Sequence, residues 1–121
     1  MPRLVLLDAN ALLMPFQFKI NLNVELERLL GDLEVAVPTP VLAELEALRH
    51  RDRDARSALM LARSFRAIEG HGSADDALLD LALAHRAAVV TNDAALLARL
   101  REARVPVVYL RSRNHLVVEG L

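Results

Sequence analysis

The chain has 121 residues, of which 54% are hydrophobic and 26% charged, and its formal net charge at pH 7 is −1. This length predicts a single domain over residues 1–121 with a substantial core, and the composition excludes a disordered chain. The near-neutral charge excludes a bulk electrostatic attraction to nucleic acid, which would need a local cationic patch instead. Cysteine is absent, which excludes disulfides, thiolate metal ligands and a cysteine nucleophile.

The sequence carries no signal for a membrane span or for secretion. No stretch approaches the ~18 apolar residues that cross a bilayer. The apolar run Leu4–Leu7 meets Asp8 too soon for a signal peptide. We therefore expect a soluble, cytoplasmic protein without a membrane partner. Its apolar fraction is high for so small a domain, so we expect a second subunit to cover part of the apolar surface.

The first elements follow a strand–helix–helix order. Leu4–Leu7 is fully apolar and predicts a strand of a buried parallel sheet. Helical periodicity follows from about Ala11, and Pro15 is expected to interrupt or kink that helix. A second helix over residues 24–30 is expected to end at Gly31, a typical residue just beyond a helix C-terminus.

The middle of the chain predicts a second strand followed by helices. Residues 34–37 have a strand pattern, and Thr39 and Pro40 are typical of the N-cap and first position of a helix over residues 41–48. The charged residues 49–56 fit either a solvated helix extension or a loop.

The next apolar pattern predicts a helix over residues 58–69, with Leu61, Phe65 and Ile68 on one face and Gly70 after its end. Ser73 is a candidate N-cap for the helix that follows. The remaining pattern alternates, and we place its elements at 73–85 (helix), 87–91 (strand), 94–103 (helix), 106–110 (strand) and 116–118 (a short last strand).

This order of elements predicts an α/β domain with a mostly parallel sheet and helices on both faces. Ligand sites of such sheets lie beyond the carboxyl ends of the strands. Asp8 and Asp93 each follow a predicted strand, while Glu44 and Asp76 lie in the first turns of predicted helices. Converging carboxylates repel one another, and a hard divalent cation bound through oxygen relieves that repulsion. Such a cation can activate water against a phosphodiester, so the pattern predicts a metal-dependent nuclease.

Each acidic residue also has an ordinary structural interpretation. Asp8 and Asp93 could be helix N-caps, Glu44 a solvated glutamate, and Asp76 the partner of Ser73 in a capping box. On a helical wheel, Glu44 borders the apolar face whereas Glu46 points away from it.

Several polar neighbours are candidates for supporting roles. Asn10 could orient Asp8 or a bound water, Thr91 could hydrogen-bond a ligand carboxylate, and Asp75 competes with Asp76 for the third acidic position.

Four segments, taken together, resemble the PIN-domain ribonucleases in residue type and order. They are Asp8-Ala9-Asn10, Glu44 after Val37-Pro38-Thr39-Pro40, Asp75-Asp76-Ala77-Leu78-Leu79 and Val90-Thr91-Asn92-Asp93. The resemblance covers essentially the whole chain. Residues 15–18, 73–76 and 107–112 resemble most the branch that processes ribosomal RNA, and VapC-type toxins are a more distant match.

The resemblance implies a three-layer α/β/α fold and cleavage of single-stranded RNA with Mg²⁺ or Mn²⁺. By position, Asp8, Glu44, Asp76 and Asp93 match the acidic site that serves as catalytic and metal-binding centre. Asp76 is preferred over Asp75 because an Ala-Leu-Leu run follows it directly. Asn10 and Thr91 match supporting positions. A homodimer is expected, and a ribosome-assembly partner or an antitoxin is a possible further partner.

Two arginine groups are candidate RNA contacts. Arg49, Arg51 and Arg53 are interleaved with aspartates, so a salt-bridged solvated face is the alternative. Arg111 and Arg113 form a second candidate patch.

Other functions fit the sequence less well. A phospho-aspartate enzyme or receiver needs a suitably placed lysine, and the chain has only Lys19. A dinucleotide-binding domain needs a glycine-rich turn that is absent. An RNA-binding or assembly module that has lost activity is the strongest non-enzymatic alternative.

Overall fold

The structure is a computed structural model that describes residues 2–121. Its strands are β1 (Leu4–Leu7), β2 (Glu34–Pro38), β3 (Arg66–Ile68), β4 (Ala88–Val90), β5 (Val107–Arg111) and β6 (His115–Glu119). Its helices are α1 (Ala9–Phe18), α2 (Leu22–Leu30), α3 (Thr39–Leu48), α4 (Arg53–Ala62), α5 (Ala74–His85) and α6 (Ala94–Glu102). Among residues 2–121, none of the helices combines the length and apolar character that crossing a bilayer requires.

One sheet holds all of these strands, in the order β3-β2-β1-β4-β5-β6. Only β6 runs antiparallel to its neighbour. Because crossovers between parallel strands are right-handed, the connections that lead through β1, β2 and β3 put α1 to α4 on one face. The later connections run in the opposite direction and put α5 and α6 on the other face. The predicted three-layer α/β/α fold with a mostly parallel sheet is confirmed.

The centre of the sheet is its most deeply buried part. Val5, Leu6 and Leu7 of β1 are fully buried, as are all three residues of β4. Burial on both faces explains why β1 is continuously apolar instead of alternating. A rigid central pair of strands fixes the positions of the loops that follow it, and these loops carry the polar residues described below.

The predicted helix over residues 58–69 is wrong in its second half. Helix α4 begins earlier, at Arg53, and ends at Ala62, after which Arg66–Ile68 form β3. This strand pairs with β2, with Arg66 opposite Ala36. Pairing with a strand distant in sequence outweighs the local helical periodicity, so Phe65 and Ile68 do not belong to a helix.

Smaller differences concern the helix ends. Pro15 lies inside α1, which continues to Phe18. The N-cap position of α3 is Pro38, and Thr39 does not cap the helix with its side chain. The charged segment 49–56 divides into a turn and the start of α4, where Asp52 accepts hydrogen bonds from the Asp54 and Ala55 N–H groups.

Candidate active site

The strand order reverses between β1 and β4, and the polar residues gather there. Leu7 is paired with Val90, so Asp8 and Thr91 leave the sheet side by side at its carboxyl edge. In open α/β sheets this topological switch point is the usual ligand crevice, because the loops on its two sides diverge to opposite faces.

Asp8 is buried at this point, with 6% of its surface exposed. Its carboxylate is the N-cap of α1, where Oδ1 accepts a hydrogen bond from the Ala11 N–H at 2.7 Å. Oδ2 accepts a hydrogen bond from the Thr91 hydroxyl. The pKa of Asp8 is raised to about 7, mainly by burial and to a smaller extent by the negative charges of Asp75 and Asp93, while the two hydrogen bonds lower it. Asp8 is therefore both a structural cap and a carboxylate under electrostatic repulsion.

Thr91 links Asp8 to Asp93. Its buried hydroxyl donates to Asp8 and accepts from the Asp93 N–H at 3.1 Å. Asp93 is exposed and caps α6 through Oδ1, which accepts from the Ala95 and Leu96 N–H groups. Its other carboxylate oxygen has no partner within residues 2–121. The N-cap interpretation of Asp93 thus holds in the structure and leaves one oxygen free for a ligand.

Two asparagines hold the loops around Asp8 and Asp93 together. The Asn10 side-chain oxygen accepts from the Asn92 N–H at 3.0 Å. The Asn92 side-chain oxygen in turn accepts from the Leu110 N–H of β5 at 2.8 Å. The Asn92 side chain therefore supplies a hydrogen-bond acceptor for β5 beyond Val90, the last residue of β4. The sequence does not predict this role of Asn92, because no local pattern reveals a side chain that accepts a hydrogen bond from a neighbouring strand.

Glu44 projects from α3 toward the same acidic region. It is exposed, yet partial desolvation and the negative charge of Asp75 raise its pKa. Glu46, in contrast, forms ion pairs with Arg49 and Arg63, each at 3.1 Å. The two glutamates therefore face different surroundings, as the helical wheel predicted.

Asp75 and Asp76 also differ. The negative charge of Asp75, which is half-buried, acts on both Asp8 and Glu44. The Asp76 carboxylate instead accepts a hydrogen bond from the Arg99 guanidinium at 2.8 Å. The pKa of Asp76 is lowered, first by Arg99 and second by the hydrogen bond with Ser73. The structure brings Asp75, not Asp76, together with Asp8 and Glu44, contrary to the choice made from the sequence. The Ser73-x-x-Asp76 spacing, typical of a capping box, is the sequence signal that favours a structural role for Asp76.

The N-termini of α3 and α5 are held close by Thr39. Its hydroxyl accepts from the Gly70 N–H at 3.1 Å and donates to the Gly70 carbonyl at 3.4 Å. A Cβ at Gly70 would meet the Ala77 Cβ at 2.9 Å, so only glycine permits this approach to α5. A shallow cleft of about 610 Å³, lined in part by Glu44 and Ser73, lies between the two helices.

The chemistry of these donors fits a hard divalent cation. Asp8, Glu44, Asp75 and Asp93 are connected by charge repulsion that a cation would relieve, and carboxylate oxygens are the ligands of Mg²⁺ and Mn²⁺. Among residues 2–121, however, no three Asp, Glu or His side chains lie close enough to form a ready-made metal centre. The structure thus shows an acidic region, not an assembled coordination shell.

The candidate RNA-contacting arginines are not equivalent. Arg49 is paired with Glu46, whereas Arg51 and Arg53 are exposed and have no ion pair within residues 2–121. Arg111 lies at the carboxyl end of β5 and Arg113 in the turn that follows. This turn is therefore at the same edge of the sheet as Asp8.

Comparisons with known proteins agree with this fold and site. The family model of the PIN like domain matches residues 5–113. Ribonuclease VapC4 of Methanocaldococcus jannaschii is 30% identical over 124 residues, covering 94% of this chain and 95% of that protein. The solved structure of the PIN domain endonuclease Utp24 superposes with a TM-score of 0.85 and 28% identity, covering 99% of this chain and 93% of that one. The resemblance predicted from the motifs is confirmed, and the chain belongs to the PIN-like domain family.

Proposed function

We propose that the protein is a divalent-metal-dependent endoribonuclease that hydrolyses phosphodiester bonds of single-stranded RNA. The observation that carries this proposal is the group of mutually repelling carboxylates at the switch point between β1 and β4. The names of the similar proteins, a ribonuclease and an endonuclease, support the reaction class.

In this proposal Asp8, Glu44, Asp75 and Asp93 hold Mg²⁺ or Mn²⁺, and Asp75 replaces Asp76 in the predicted set. A bound cation would lower the pKa of a water molecule and stabilise charge on the phosphate oxygens. Thr91 holds the Asp8 carboxylate in place through its hydroxyl. Burial of Asp8 keeps bulk water from screening its charge.

The RNA strand is proposed to contact Arg111 and Arg113 first, because the β5–β6 turn lies at the edge of the acidic site. Arg51 and Arg53 are available for further phosphate contacts, and Arg49 only after release from Glu46. A cytoplasmic location belongs to the proposal, and a chain without cysteine is compatible with a reducing compartment.

We propose a homodimer as the working state. Phe16, Val24 and Met60 are large apolar side chains that the single chain leaves exposed. Light scattering at micromolar concentration should give twice the mass of 13.4 kDa. The monomer mass would contradict this part of the proposal.

Processing of ribosomal RNA with an assembly partner is the proposed role, supported by the resemblance of residues 15–18, 73–76 and 107–112 to that branch of the family. A VapC-type toxin neutralised by an antitoxin is the second candidate, supported by the identity to Ribonuclease VapC4. A catalytically inactive RNA-binding module is the outcome if cleavage is absent.

The test is cleavage of structured and unstructured RNAs with Mg²⁺, with Mn²⁺ or with a chelator. We expect metal-dependent cutting of single strands by the wild type and none by Asp8→Asn, whose amide keeps the helix cap. Either cation should also raise the melting temperature, because it binds the folded state. Cutting that persists in chelator would refute the proposed chemistry.

A further inference from the structure

Three arginines adopt a backbone conformation that normally favours glycine: Arg113 in the β5–β6 turn, and Arg86 and Arg104 at helix ends. Arg86 follows α5 with φ of 52°, and Arg104 lies just beyond α6 with φ of 61°. Their N–H groups complete the helix ends by donating to the Ala82 and Arg101 carbonyls. Glycine would make these backbone contacts without strain, so the backbone alone does not account for arginine at either position.

The side chains are not explained by local pairing either. A cation near a helix C-terminus is attracted by the helix dipole and can donate to the last carbonyls. Within residues 2–121, however, neither the Arg86 nor the Arg104 guanidinium donates a hydrogen bond or forms an ion pair. On the same helix α6, Arg99 and Arg101 are paired with Asp76 and Glu119. Arg86 and Arg104 thus combine an unfavourable backbone conformation at a helix end with a charge that no acidic side chain of residues 2–121 pairs.

Arg86 and Arg104 both line one surface pocket of about 390 Å³. Leu83, Val105 and Pro106 form part of its apolar wall. The pocket lies at the starts of β4 and β5, at the edge of the sheet opposite to Asp8. Because β4 is buried, an RNA strand would pass over the surface along α5, whose 12 residues extend about 18 Å between the two edges, a distance that a few nucleotides could span.

We propose that Arg86 and Arg104 bind one phosphate group of the RNA strand and anchor it away from the cleavage site. This inference rests on the proposed function. Guanidinium groups bind phosphate through paired, charge-assisted hydrogen bonds. An anchor on the far edge is useful here because the acidic site repels RNA and the net charge of −1 supplies no general attraction.

The test replaces both residues by glycine, which relieves the backbone strain and removes both charges. RNA affinity is measured at several salt concentrations in the Asp8→Asn background, so that the strand stays intact. Losing one phosphate contact should make the slope of log K against log salt shallower by about 0.7 and weaken binding of a long strand. Binding of a short oligonucleotide that fills only the cleavage site should not change.

Lys19→Gly is the matched control, since Lys19 is also a basic C-cap with φ of 56° but lies in a different pocket. It should keep the wild-type slope. An equal loss in this control, or a wild-type slope in the double glycine variant, would overturn the inference. Asparagine at both positions, which tolerates the same conformation, is the second variant should the glycine variant fold poorly.

Inorganic phosphate separates an RNA anchor from a site for a free anion. Phosphate should weaken RNA binding by wild type and not by the double variant. Loss of phosphate binding without any loss of RNA affinity would contradict the anchor. The two proposals can fail separately. If the wild type cleaves no RNA but the double variant still shows the shallower salt slope, the proposed function is refuted and the phosphate anchor is supported.

Discussion

Asp8 combines the role of a helix cap with that of an acid held in a low-dielectric site. Its hydrogen bonds to Ala11 and Thr91 favour the charged form, but burial opposes them and dominates. The folded protein without metal therefore holds a proton on Asp8 at a pH where the unfolded chain does not. A cation favours the charged form, so metal binding and proton release are coupled at this residue.

We predict that the unfolding free energy of the metal-free protein falls as pH rises from about 4 to about 8. The folded pKa of about 7 exceeds the ordinary value of 3.8, so the stability contributed by Asp8 is fully present below the ordinary value and lost as pH rises through the folded one. The difference corresponds to at most about 4 kcal/mol. Denaturant unfolding of wild type and Asp8→Asn measures it.

Subtracting the Asp8→Asn curve removes the contributions of the other acids. Glu44 changes stability in the same direction, whereas Asp76 and Glu119, whose pKa values are lowered, act at lower pH and in the opposite direction. Parallel curves for the two proteins would show that Asp8 does not titrate between the two pKa values.

The neighbouring aspartates of α5 offer a matched pair for activity. We predict that Asp75→Asn reduces cleavage by about 100-fold or more, since it removes a charge that acts on both Asp8 and Glu44. Asp76→Asn should be nearly neutral in activity, because its partner is Arg99. Single-turnover rates with saturating Mn²⁺ measure the difference. A larger loss in Asp76→Asn would restore the assignment made from the sequence.

At the scale of elements, the site depends on hydrogen bonds that join loops distant in sequence. Asn10, Asn92 and Leu110 belong to three different segments, and two side-chain oxygens connect them. This clamp ties the Asp93 loop to β5, the strand that ends in Arg111. The acidic site and the proposed RNA-contacting turn are therefore positioned by one set of contacts.

We predict that Asn92→Ala lowers the unfolding free energy by about 1 kcal/mol, because the Leu110 N–H loses its acceptor. Cleavage should fall at the same time, through loss of position and not of a reacting group. Asn92→Asp retains an acceptor oxygen and should recover the stability. Chemical denaturation and cleavage assays on the three proteins test this. Equal stability of Asn92→Ala and wild type would show that the clamp contributes nothing.

The elements also show which features local sequence could predict. Strands that are buried on both faces, such as β1 and β4, are continuously apolar, and this pattern is visible in the local sequence. The positions of Asp8 and Asp93 at the edge of the sheet follow from these strands. Strand β3 has three residues, and its identity depends on pairing with β2. Asp75 and Asp76 are adjacent and both acidic, so only the position of Arg99 and the approach of Asp8 distinguish them.

At the scale of the whole molecule, charged groups without a partner among residues 2–121 lie at both edges of the sheet. The carboxyl edge holds the acidic site, and the amino edge holds the unpaired Arg86 and Arg104. Within the described chain, six other arginines form ion pairs with acids, among them Glu46, Asp76 and Glu119. The net charge of −1 and the small size of the local arginine patches allow few phosphates to be neutralised, so we expect weak intrinsic affinity for RNA and slow, permissive cutting of isolated single strands.

This expectation decides between the two proposed cellular roles. A processing factor can rely on a partner or a ribosomal precursor to present the strand, so weak intrinsic affinity is sufficient for it. A toxin must find and cut its target unaided, which requires tight binding or fast cleavage. We therefore predict that expression of the wild type causes little growth arrest compared with Asp8→Asn, measured by growth curves at matched protein levels. Rapid arrest by the wild type alone, relieved by a dedicated antitoxin, would establish the toxin role while leaving the nuclease chemistry intact.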